Sequence, residues 1–200
     1  MQIILTNAGK RYNREWIFRH INHEFIPGRS YAITGPNGSG KSTLLQVIAG
    51  AIQHNEGEVK YLDTASGINP YKYLSIATPY LELIEEMTAA ELLGFHATFK
   101  QLTRSIPEIL TELNLQNAAN KQVRYFSSGM KQRLKLAQAF FSSSPVLLLD
   151  EPTTNLDEDG IELYHLLINK YTKEKLVIIS SNDKQEYSFC EEVILINNYK

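Results

Sequence analysis

The nine residues GPNGSGKST, Gly35–Thr43, constrain this chain more than any other feature. They fit G-x-x-x-x-G-K-[ST] and follow SYAIT, Ser30–Thr34, which reads as a compact strand. From Lys41 an apolar stripe of Leu44, Leu45, Val47 and Ile48 reads as a helix that stops at Gly50. Strand, glycine-rich turn and helix in that order make a cradle for phosphate. The glycines let backbone N–H groups wrap an anion, and the helix N-terminus adds its dipole. In such a cradle Gly35, Pro36, Asn37, Gly38, Ser39 and Gly40 supply the wrapping backbone. Lys41 reaches the β- and γ-phosphates of a nucleotide, Ser42 holds Mg²⁺, and Thr43 donates to the α-phosphate.

VLLLD, Val146–Asp150, is apolar without alternation, as a parallel strand covered on both faces should be. Its end brings Asp150 to the C-terminal edge of the sheet, where folds of this kind bind ligands. There Asp150 would hold Mg²⁺, directly or through water, and Glu151 would polarise a water. The residues before the cradle alternate loosely and predict short antiparallel strands, with turns around Lys10–Arg14 and Pro27–Gly28. A strand pair is expected at Gly57–Leu62 and Tyr73–Ala77. The middle, roughly 84–142, is helical, with Thr88, Ser105 and Ser127 as caps and Met130, Leu134, Ala137 and Phe141 on one face. Lys131, Arg133 and Lys135 fall on other faces and read as solvated side chains. A helix at about 158–171, then the strands KLVIIS and VILI, complete an α/β parallel sheet with a helical insert.

Composition removes several classes of function. A net charge of −2 argues against a broadly basic nucleic-acid surface. The single cysteine, Cys190, leaves no internal disulfide and reads as a small apolar filler. The opening MQIILTNAGKRYN has too short an apolar run for a signal peptide, and no window approaches the ~18–20 apolar residues of a membrane span. The expectation is a soluble, cytoplasmic chain that reaches a membrane only through a partner.

Gly35–Thr43, then FSSGMKQR (Phe126–Arg133) upstream of LLLDEPTTNLD, resembles the nucleotide-binding domain of ABC ATPases over essentially the whole chain. The resemblance implies a P-loop NTPase of α/β class. It would be a single domain over 1–200, with an ABC-type parallel core sheet, an N-terminal antiparallel β subdomain and an inserted α-helical subdomain at about 84–142. It implies ATP and Mg²⁺, and a head-to-tail homodimer or heterodimer in which Ser127, Ser128 and Gly129 cap the ATP of the opposing subunit. Asp157 would sit in the loop coupling the two sites, and Tyr12 would stack on adenine, with Trp16 as rival. The implied activity is ATP hydrolysis by a transporter subunit that drives a separate membrane permease from the inner face of the membrane. A weakly catalytic regulatory binder, or a non-transport ABC protein acting on ribosomes or DNA, are the alternatives; no nucleic acid is expected.

The chain departs from the family pattern at three places. Ser128 and Met130 replace a glycine and a glutamine of the L-S-G-G-Q type segment. The glutamine that the family places after the strand ending near Ala77 is missing; Thr78 or Pro79 falls there, and Glu82 is the nearest candidate oxygen ligand. Where the family has a histidine after the strand KLVIIS, this chain has Asn182, which either contacts the γ-phosphate or caps the next helix. None of His20, His23, His54, His96 and His165 fits that position.

Overall fold

In the computed structural model, which describes residues 1–62 and 70–200, the strands divide between two sheets. β1 (Gln2–Tyr12) and β2 (Glu15–Phe25) form an antiparallel hairpin closed at Asn13 and Arg14, with Asn13 at φ 54°. Asparagine tolerates this left-handed backbone better than most residues. At 11 residues each, the strands are longer than their loose alternation predicts. Register shifts between Leu5 and Arg11 explain the difference: each bulge turns the following side chains to the other face, so the period breaks while the strand continues. β3 (Ser30–Thr34) then runs through the glycine-rich turn into α1 (Lys41–Ile48).

The expected pairing of Gly57–Leu62 with Tyr73–Ala77 does not form. β4 (Glu56–Leu62) instead lies against β1, giving the order β2-β1-β4. It turns Val59 and Tyr61 inward and exposes Glu58 and Lys60, as a sheet with one wet face requires. β5 (Leu74–Ala77) is buried along most of its length and joins the other sheet, where both faces are covered. That sheet is parallel throughout, in the order β5-β6-β7-β3-β8, with β6 at Val146–Asp150, β7 at Leu176–Ser180 and β8 at Glu192–Leu195.

Between β5 and β6 run α2 (Ala89–Ala97), α3 (Ile106–Glu112) and α4 (Ser128–Phe140). Their caps are those the sequence predicts. Thr88 accepts from the Glu91 amide at 3.2 Å, Glu108 returns to the Ser105 amide at 2.9 Å, and Ser127 accepts from the Met130 amide at 3.2 Å. Each such cap is worth about 1 kcal/mol of helix stability. α5 (Glu158–Tyr171) links β6 to β7, and the single turn α6 (Lys184–Tyr187) links β7 to β8.

The unbroken apolar runs of β6 and β7 now have their reason. Leu147 and Leu149 pack with the helices between β5 and β6 and with α5, while Val146 and Leu148 pack with α1 and the antiparallel sheet. Burying both faces of these strands fixes the carboxyl ends of the sheet, and the functional side chains project from those ends. Among the described residues no helix is long and apolar enough to cross a membrane.

Candidate functional site

The glycine-rich turn closes on itself. Gly40, at φ 101°, is the N-cap of α1, and a Cβ there would stand 2.3 Å from Ile17, so only glycine fits. Lys41, only 4% exposed, folds back to donate to the carbonyls of Gly35 at 3.0 Å and Pro36 at 3.2 Å. Among the described residues its hydrogen bonds go to neutral carbonyls alone, which fits a loop built to receive an anion. Ser39 makes the same point: its hydroxyl is buried and has no hydrogen-bond partner among the described residues. Asn37 through Thr43, with Ile17, Tyr80 and Glu151, line a cavity of about 400 Å³. Pro36 lies outside it, on a neighbouring cavity of about 460 Å³ that also touches Asn197 and Lys200.

At the end of β6, Asp150 is 2% exposed and accepts a hydrogen bond from Ser42 Oγ at 3.0 Å. Burial raises its carboxyl above the ordinary range, against the pull of that hydrogen bond and of the Lys41 charge. Ser42 and Asp150 are thus already side by side, an oxygen pair suited to a hard divalent cation that takes its other ligands from phosphate and water. Glu151 follows at φ 42°, a left-handed backbone uncommon for glutamate, pinned by its amide donating to the Ser180 carbonyl at 2.8 Å. Glu151 lines the phosphate-loop cavity from this turn.

Asn182 donates from Nδ2 to Asn37 Oδ1 at 2.9 Å, so the end of β7 touches the phosphate loop. It is not a helix cap: Asp183 caps α6, accepting from the Gln185 amide at 2.9 Å. Glu82 is not brought to the loop. It lines two other cavities, among Pro79–Glu85, Lys131, Lys135 and the outer face of α2, because the chain has already turned away two residues after Tyr80. Tyr12 is 49% exposed at the hairpin tip, with Lys10 Nζ 5.1 Å from its ring centre, and Ile17 rather than Tyr12 lines the cavity. Trp16 is half-buried, with the Arg19 guanidinium 4.2 Å and that of Arg11 5.4 Å from its ring, so its face is already used.

Ser127 and Ser128 are exposed at the start of α4, and neither they nor Gly129 line the cavity of their own phosphate loop. Gly129 packs against the carbonyl of Asn155, where a Cβ would come within 3.1 Å. The reading of Lys131, Arg133 and Lys135 as solvated charges is wrong. Arg133 pairs with Asp157 at 2.8 Å, Lys131 with Glu85 at 2.5 Å, and Lys135 donates to the Pro79 carbonyl. Asp157 also caps α5, accepting from the Gly160 amide at 2.9 Å; burial plays little part, and the Arg133 hydrogen bond holds its carboxyl below the usual range.

Two residues escaped sequence reasoning. Tyr80 lies in a stretch without a recognisable motif. Glu186, 3% exposed, accepts from the Thr153 amide at 2.7 Å and its hydroxyl at 2.6 Å, clamping the turn that carries Glu151. Only Asp183, as a cap signal, could have marked the short helix on which Glu186 sits.

A phosphate loop on a parallel sheet, with a buried aspartate and an adjoining glutamate at the next strand end, defines a P-loop nucleoside triphosphatase. Within that class the profile of the ABC transporter family matches residues 18–154, and the chain belongs to that family. It is 31% identical over 206 residues to the ABC transporter ATP-binding protein YybJ of Bacillus subtilis (strain 168), covering 98% of this chain and 93% of that one. The lantibiotic transport ATP-binding protein SrtF of Streptococcus pyogenes is 28% identical, over 89% of this chain and 78% of its own. A solved ATP-binding cassette, a dimer in a post-hydrolysis state bound to ADP and Pi, superposes with a TM-score of 0.82 at 26% identity, covering 97% of this chain and 94% of that chain.

Proposed function

We propose that this chain is the ATP-binding and ATP-hydrolysing subunit of an ABC transporter. It closes as a dimer around two ATP and drives a permease carried on another chain, at the inner face of the membrane. The observation that carries this reading is the meeting of Lys41, Ser42 and Glu151 in one cavity, with Ser42 already bonded to Asp150. The relatives, named as transporter ATP-binding proteins, and the dimeric cassette support the assembly.

The loop amides and the N-terminus of α1 bind the phosphates, and Lys41 leaves its carbonyl partners for the β- and γ-oxygens. Ser42 and Asp150 would hold Mg²⁺, which when bound would supply positive charge to offset the negative charge developing on the phosphates. Glu151 orients the attacking water and takes its proton as the new P–O bond forms and the bond to ADP breaks. Asn182, held on Asn37, reaches the γ-phosphate from the β7 side. Tyr12 offers its exposed ring to adenine, a contact of roughly 1–3 kcal/mol. Ser127 and Ser128, exposed, and the half-buried Gly129, all outside their own cavity, face the phosphate loop of the second subunit, with Asp157 beside them through Arg133.

The direct experiment is a pair of variants. Lys41→Ala should abolish tight ATP binding, because the loop loses its one full positive charge. Glu151→Gln should keep binding, lose roughly 10²–10⁴-fold in hydrolysis, the usual worth of a positioned base, and accumulate an ATP-bound dimer on size-exclusion chromatography. Normal turnover by Glu151→Gln would remove that residue from the mechanism.

A further inference from the structure

β5 lies beside β6, so the chain leaving Ala77 rises next to Asp150 and Glu151 at the same edge of the sheet. Three residues on, Tyr80 is 81% exposed, yet it lines the phosphate-loop cavity together with Ser42 and Glu151. Its ring is not part of a core, and no described residue hydrogen-bonds its hydroxyl. The backbone around it is nonetheless fixed. The Leu81 amide donates to the Thr78 carbonyl at 3.2 Å, and Lys135 donates to the Pro79 carbonyl. Further along, the Arg124 amide donates to the Glu85 carbonyl at 3.0 Å. A phenol held over a phosphate cradle by its backbone, with a free O–H and no packing duty, is placed as a donor to something that enters the cavity.

We infer that the Tyr80 hydroxyl is a γ-phosphate contact. It donates to a γ-phosphate oxygen from the β5 side, facing Asn182 on the β7 side. The choice of γ over α follows from the strand order: Tyr80 comes up beside Glu151, the residue that orients the attacking water, whereas Thr43 lies in the first turn of α1. This inference rests on the ATPase reading above.

The test compares ATP with ADP by isothermal titration calorimetry in Mg²⁺, using Glu151→Gln to keep ATP intact. Tyr80→Phe removes only an exposed hydroxyl, so folding is not at stake. In that background it should leave ADP affinity unchanged and weaken ATP by about 10-fold, the lower end for a hydrogen bond to a charged group. Unchanged ATP affinity in Tyr80→Phe overturns the assignment. Equal losses for ATP and ADP overturn it too, since the contact would then lie on the part the two nucleotides share. If the chain with native Tyr80 binds neither nucleotide, the ATPase reading itself fails, an outcome distinct from the other two.

Discussion

Asn182 shows how a single side chain changes meaning once its neighbours are known. The sequence leaves it either a γ-phosphate contact or the cap of the following helix; Asp183 takes the cap, and the Asn182 amide is bonded to Asn37 of the phosphate loop, which favours the first role. Asn182→Ala should therefore leave the melting temperature unchanged while reducing ATP turnover about 10- to 150-fold, the worth of a hydrogen bond to a charged group. Measuring both on one purified variant decides the matter, and a normal rate would exclude any part in the chemistry. A neutral amide also carries no proton to lose near pH 6–7, so Asn182 itself adds no inflection to the rate there, where a histidine would. Glu186 acts one step further back. Its carboxyl, which burial pushes above the usual range, holds Thr153 two residues after Glu151, so Glu151 stands on a clamped turn.

Among the elements, α4 joins segments far apart in the chain. Its buried Gln132 donates to the Pro152 carbonyl at 2.8 Å, Arg133 reaches Asp157, and Lys131 and Lys135 hold the segment that carries Tyr80. One helix is thus tied both to the stretch after β6 and to the stretch after β5. None of this was legible in the sequence, because each tie joins residues 20 to 56 positions apart. A charge run on a helix reads as solvated until its partners are placed. The caps, by contrast, were legible, since a cap is local chemistry over three or four residues. The two kinds of information separate in the exposed start of α4. Ser127→Ala should remove a cap and lower stability by about 1 kcal/mol, read from chemical denaturation. Ser128→Arg, with no cap to lose, should fold and bind ATP as a monomer but fail to dimerise with ATP in the Glu151→Gln background. ATP-driven dimers of Ser128→Arg on size-exclusion chromatography would exclude a role for this segment across the interface.

Across the whole molecule, the sheet order was harder to read than the motifs. The phosphate loop and VLLLDE announce themselves within nine and six residues, but the placement of β4 and β5 in different sheets depends on which faces are covered, a property of the assembled core. That core also stores a pH response. Lys175, just before β7, donates to the carbonyls of Phe140 at 3.0 Å and Ser142 at 2.8 Å, and burial lowers its pKa to about 8. Between about 8 and the ordinary lysine value of 10.5 the unfolded chain binds more protons than the folded one, so this group makes stability rise with pH across that window and withdraws the gain below it. Lys175→Met should flatten the rise; parallel melting-temperature profiles for variant and native chain would refute the assignment. The last turn, Ile196–Tyr199, buries Ile196 under the glycine-rich loop, 2.8 Å from where a Cβ on Gly35 would stand, and Lys200 shares a cavity with Pro36. For anyone purifying the protein this dictates where a handle goes. A bulky handle placed at Lys200 would stand beside the Pro36 end of the glycine-rich loop, whereas one placed at Met1 would start at the end of β1 farthest from the hairpin tip.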